Sequence, residues 1–128
     1  MPPGTTILSP EDRDYDGYYH ILPGHTHIFK FIVPSFGLNK IGVAHVMSGT
    51  QDWSLDCWIS SSPLDGVQFS KNADMNHFGI PRVMKEFEIW DEKVAPEGTL
   101  TLPSNRIFYI NVKNLQNRDN TYKLVFSV

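Results

Sequence analysis

A chain of 128 residues has room for one domain and buries about two-thirds of its unfolded surface in a single core. With 41% hydrophobic residues, 20% charged and a formal charge of -3, it has the composition of a folding domain. No basic surplus is left to neutralise a run of phosphates, which argues against a nucleic-acid partner. Cys57 is the single cysteine, so neither an intrachain disulfide nor a Cys-rich zinc site can form.

The amino-terminal residues Met1 to Thr6 have neither a positive n-region nor an apolar h-region. No apolar run approaches membrane-spanning length, so the expectation is a chain that is neither Sec-targeted nor membrane-embedded. Residues 1–128 read as one domain, with 1–17 as its irregular amino-terminal segment. From there, short runs rich in Val, Ile, Phe, Tyr, Trp and Thr alternate with Gly, Pro, Asn, Asp and Ser clusters, the pattern of strands joined by turns. They predict strands over 18–22, 26–33, 41–48, 53–60, 86–91, 98–102, 106–113 and 121–127. Between 61 and 85 the pattern is least regular, with one short strand around Val67 and Phe69 and then a long loop or helical turn. The expected fold is all-β: an antiparallel, jelly-roll-like sandwich of about eight strands.

Alternation assigns faces, because successive strand side chains point to opposite sides of a sheet. Phe29, Phe31 and Val33 are expected in the core, with Thr26, Ile28, Lys30 and Ile32 opposite them. Trp53, Leu55, Cys57 and Ile59 are expected inside, leaving Ser54, Asp56, Trp58 and Ser60 outside. Phe108, Ile110 and Val112 alternate with Tyr109, Asn111 and Lys113, and Tyr122, Leu124, Phe126 and Val128 alternate with Lys123, Val125 and Ser127. The polar stretch Asn114 to Asn120 predicts that these last two strands pair as an antiparallel hairpin.

The order of Tyr18-Tyr19-His20-Ile21-Leu22-Pro23-Gly24, Trp53-Ser54-Leu55-Asp56-Cys57-Trp58-Ile59, Gly98-Thr99-Leu100-Thr101-Leu102, Ile107 to Val112 and Thr121 to Phe126 resembles the bacterial pre-peptidase C-terminal domain family. The resemblance implies a jelly-roll-like, non-catalytic module that helps a larger secreted protein engage polymers or surfaces. It also implies that calcium can bind near the amino-terminal end. This chain begins with its own methionine and stands alone, which raises a second setting, a structural subunit of a phage tail, virion or extracellular assembly. Either setting is extracellular or virion-associated.

The sharpest local motif is Asp12-Arg13-Asp14-Tyr15-Asp16-Gly17, where alternate carboxylates of Asp12, Asp14 and Asp16 converge as in the opening of a calcium loop. An EF-hand needs Glu at the twelfth position, where Pro23 stands, so only a looser Ca2+ site fits. The competing reading is a solvated acidic turn. His25 and His27, spaced by two, share a strand face on which a transition metal could bind, with His20 and His45 as further ligands. The spacing is similar to the His-x-His of cupins, but Phe31 and Ile32 stand where a cupin Glu is needed. Rim histidines beside the core are the ordinary explanation.

Trp58 is in phase with Asp56, Trp90 with Glu86 and Glu88, and Tyr109 with Asn111. Sugar rings stack on such aromatics while carboxylates and amides bind their hydroxyls, so Trp58, Trp90, Asp56 and Tyr109 are the candidate glycan-binding residues. If two of the aromatics lie on one sheet they form a shallow platform; alternatively each is covered by a loop or a neighbouring subunit. No Gly-x-Ser-x-Gly elbow, His-Glu-x-x-His pair or phosphate-binding Gly loop is present, which argues against an enzyme.

Overall fold

The computed structural model describes residues 4–9, 17–32, 38–46, 55–64, 74–77, 82–90 and 107–127. They form nine strands: β1 (Thr5–Leu8), β2 (Tyr19–Ile21), β3 (Thr26–Ile32), β4 (Leu38–Val46), β5 (Leu55–Ser60), β6 (Asp74–His77), β7 (Arg82–Trp90), β8 (Ile107–Asn114) and β9 (Asn120–Ser127). A four-stranded sheet has the order β1-β3-β8-β5 and a five-stranded sheet the order β2-β9-β4-β7-β6. No helix among the described residues is long and apolar enough to cross a membrane.

From β2 onward each strand lies in the opposite sheet to the one before it, except that β6 and β7 pair within one sheet. This winding gives β2-β9-β4-β7 and β3-β8-β5 as facing ladders, which is jelly-roll-like as expected. Three features depart from the expectation, the first being that β6 and the start of β7 lie in the part of 61–85 read as a loop or helical turn, where they pair as neighbouring antiparallel strands. Thr5–Leu8, inside the segment read as irregular, forms β1, and it pairs with β3 in parallel, so the sandwich is not wholly antiparallel. Strands β8 and β9 do not form a hairpin: β8 lies between β3 and β5, and β9 between β2 and β4. Both flanks of each strand are occupied, so the short connection between them carries the chain from one sheet to the other.

The core is the space between the sheets. From the four-stranded sheet come Phe29, Leu55, Cys57, Ile59, Phe108, Ile110 and Val112, and from the five-stranded sheet Tyr19, Ile21, Ile41, Val43, Phe87 and Tyr122. Phe29, Leu55, Cys57 and Ile59 are positions that alternation assigns inward, and register partners share their face: Phe29 stands opposite Ile110, and Cys57 opposite Val112. Phe31 stacks on Phe108 with ring centroids 5.6 Å apart, and Tyr19 meets Phe29 edge-on at 4.8 Å. Cys57 is a buried packing residue.

The outer face of the four-stranded sheet is less polar and less open than alternation suggests. Ile28, Asn111 and Ser60 lie on it and are fully buried. β1 lies alongside β3, with Ile7 in register with Ile28. The segment 61–64 folds back over β5 and β8. The expected strand at 98–102, the one around Val67 and Phe69, and Trp53, Val33 and Val128 lie outside the described residues.

Candidate functional site

The candidate site is built on β5 and β8, whose register sets Asp56 opposite Lys113, Trp58 opposite Asn111 and Ser60 opposite Tyr109. All six residues therefore share the outer face of the four-stranded sheet. Asp56 and Lys113 are exposed, while Trp58 and Tyr109 are half-buried. On the next strand Lys30, also exposed, stands in register with Tyr109. Trp58 and Tyr109 are thus diagonal neighbours, within reach of one another's large side chains.

Asn111 organises this face. Its Nδ2 donates to the Trp58 carbonyl at 3.1 Å and to Ser60 Oγ at 2.9 Å, while its Oδ1 accepts from the Leu64 N–H at 2.9 Å. Ser60 Oγ in turn donates to the Ser62 carbonyl at 2.6 Å. Leu64 has φ 68, the left-handed region that an L side chain adopts at some cost. It is held there at both ends: its N–H by Asn111, and its carbonyl by the Trp58 Nε1–H at 3.1 Å. The indole's polar edge is consumed in the protein, so what Trp58 offers a ligand is ring surface.

Trp90 does not join this group. It ends β7 in the five-stranded sheet, in register with Leu38, whereas Trp58 is on the four-stranded sheet. The two tryptophans belong to different sheets and cannot form one platform; Trp58 and Tyr109 can.

A second polar constellation closes one end of the sandwich. Leu22-Pro23-Gly24-His25 is a tight turn from β2 to β3, with the His25 N–H donating to the Leu22 carbonyl at 3.1 Å. Pro23 supplies the second-position φ, and Gly24 takes φ +72, which only glycine adopts without penalty. Asn114, fully buried at the end of β8, joins this turn to the β8–β9 crossing. Its backbone N–H donates to the His25 carbonyl at 3.0 Å, and its carbonyl accepts from Gly24 at 3.1 Å. Its Nδ2 donates to the carbonyls of Ile21 at 3.1 Å and Arg118 at 2.8 Å. Its Oδ1 accepts from the Gln116 N–H and from Asn120 Nδ2, both at 3.0 Å.

Beneath that end, His27 Nδ1 and the Tyr122 hydroxyl form a buried hydrogen bond of 2.7 Å that crosses from β3 to β9, sheet to sheet. Burial, and then His25, lower the His27 pKa to about 4. Burial, and then Tyr19 and Cys57, push the Tyr122 phenol far up. His27 is thus taken by Tyr122, while His20 is exposed and His25 half-buried. Among the described residues no three His, Cys, Asp or Glu side chains gather as a metal site. Asp12, Asp14 and Asp16 lie outside the described residues. Sequence reading had placed Asn111 on a polar face and His27 at the rim; the packing of strands far apart in sequence turns both into buried anchors.

The fold and these sites define an all-β sandwich with its chemistry on one sheet face and at one end. No family model matches the chain, and no curated protein matches it. A solved structure that it resembles is the pre-peptidase C-terminal domain of a collagenase from Bacillus anthracis, at 14% identity and TM-score 0.46, covering 99% of this chain and 98% of that one.

Proposed function

We propose that this chain is a non-catalytic binding module that engages carbohydrate or another surface polymer along the outer face of its four-stranded sheet. The reading rests on the grouping of Asp56, Trp58, Tyr109 and Lys113 on adjacent strands of that face. A sugar ring stacks its apolar side on an aromatic, and charged neighbours bind its hydroxyls. Trp58 suits the first task because Leu64 fixes its indole edge, so little rotamer freedom is lost on binding. Such a module works outside the cell or on a virion surface.

Tryptophan fluorescence titrated with a panel of neutral and acidic polysaccharides tests the reading. Saturable binding is expected, weakened roughly tenfold by Trp58→Ala and by Tyr109→Ala, since a stacked aromatic contributes about 1–2 kcal/mol. Trp90→Ala, on the other sheet, leaves affinity unchanged. Absence of binding across the panel removes the proposal.

Asp12, Asp14 and Asp16 are proposed Ca2+ ligands. Gly17, which follows Asp16 in the sequence and has φ +89, sits beside Lys123, whose Nζ would stand 3.9 Å from a Cβ at that position. That ammonium also lies 4.4 Å over the Tyr18 ring. Millimolar calcium is expected to raise the melting temperature, because a ligand of the native state stabilises it by mass action. An unchanged melting temperature identifies the segment as a solvated turn.

A further inference from the structure

We propose that the His27–Tyr122 pair is an acid-sensitive latch: at neutral pH it ties the two sheets together at the end where both crossings lie, and acid releases that end. The pair is a buried side-chain hydrogen bond between the sheets, 95 residues apart in sequence and 2.7 Å long. Tyr122 is fully buried, stacked on Tyr19 at 5.3 Å and edge-on to Phe29 at 6.3 Å, so the imidazole meets an aromatic wall rather than water. A neutral imidazole can accept the phenol proton at Nδ1; a protonated one can only donate there. Protonation therefore removes the acceptor that the Tyr122 hydroxyl uses and places a charge in an apolar interior.

Among the described residues, the groups around the latch leave that charge uncompensated. From β3 the neighbour is His25, itself basic, and it disfavours the charge further. From β2 comes Tyr19, from β5 Cys57, and both act on Tyr122 as would-be anions. β8 supplies Val112, the register partner of His27, with buried Asn114 nearby on the same face. β4 sets His45 across the ladder from Tyr122. Lys30, Lys113 and Asp56 lie on the outer face, away from the pair. Among the described residues no carboxylate contributes to the His27 pKa.

The direction of the pH effect follows by linkage. The unfolded chain takes up a proton near 6.5, whereas folded His27 does so only near 4. The native state is therefore fully favoured above 6.5, and it loses stability as the pH falls from 6.5 towards 4. Between pH 7 and pH 5 this single group raises the unfolding constant roughly twentyfold.

The experiment is urea unfolding of the wild type, His27→Gln and His45→Gln at pH 7 and pH 5. Gln retains an amide able to bond the Tyr122 hydroxyl but does not titrate. The wild type and His45→Gln are expected to lose stability by that factor beyond any loss in His27→Gln. Equal pH dependence in the wild type and His27→Gln overturns the proposal, as does a loss that disappears in His45→Gln. Should His27→Gln not fold, NMR titration of the wild-type imidazole decides. A ring still neutral at pH 5.5, with amide exchange accelerating first around Ile21 to His27 and Asn114 to Tyr122, supports the latch. A folded-state ring that protonates near 6.5 overturns it.

Discussion

Asn114 brings no apolar surface to the core, yet it is fully buried and its side chain makes four hydrogen bonds. Truncating it strands the Ile21 and Arg118 carbonyls, the Gln116 N–H and Asn120 Nδ2 together. Each buried group left unpaired costs about 1–3 kcal/mol, moderated where water can reach the loop. Asn114→Ala is therefore expected to lower stability by about 3 kcal/mol in urea unfolding. A change smaller than about 0.5 kcal/mol, the scale of an ordinary surface substitution, would mean that the loop holds itself. Asn111 does the same work on the outer face. Neither role was legible in the sequence, because an Asn in phase with Tyr109 and Lys113 reads as a solvated residue until the strand beside it and the turn above it are known.

At the scale of elements, the alternation of apolar and polar residues located the strands because it reports one thing directly, which side of a sheet each residue faces. It placed Leu55, Cys57 and Ile59 inside, and they are buried. It could not say which strand pairs with which. Asn114 to Asn120 is polar and short, as a hairpin loop is, and the same properties suit a crossing between sheets. The jelly-roll winding was the better guide, since it requires consecutive strands to change sheets. β1 went unread for a different reason: Thr5–Leu8 is four residues long and pairs only along one edge, too short for alternation to register. Its worth is testable. β1 lies alongside β3 on the side where Ile28 is fully buried, and uncovering an aliphatic side chain of that size costs about 1.5–3 kcal/mol. A chain shortened to begin at Ser9 is expected to lose about 2 kcal/mol in the same urea assay, and an unchanged midpoint would make β1 an ornament of the edge.

At the scale of the molecule, the two sheets divide the labour. The interior holds the sheets together through aromatic packing and the His27–Tyr122 bond, the end formed by the two crossings is closed by Asn114, and the outer face of the four-stranded sheet carries Trp58, Tyr109 and their charged neighbours. Leu22 and Leu115 remain exposed beside Asn114, an apolar pair at that same end. The site on the sheet face was half legible. Parity alone put Trp58 in phase with Asp56 and Tyr109 in phase with Asn111, whereas the meeting of Trp58 with Tyr109 and the separation of Trp90 onto the other sheet depend on pairings that no local pattern encodes.

On the proposed function, a polymer binds along this face. An amide chemical-shift map recorded during titration with the polysaccharide that quenches tryptophan fluorescence tests it most directly. The account predicts saturable shifts confined to Leu55–Ser60, to Ile107–Asn114 and to the segment 61–64. Shifts centred on β7 and β4, or concentration-dependent self-association through Leu22 and Leu115 with no polymer bound, would contradict it and favour a subunit of a larger assembly.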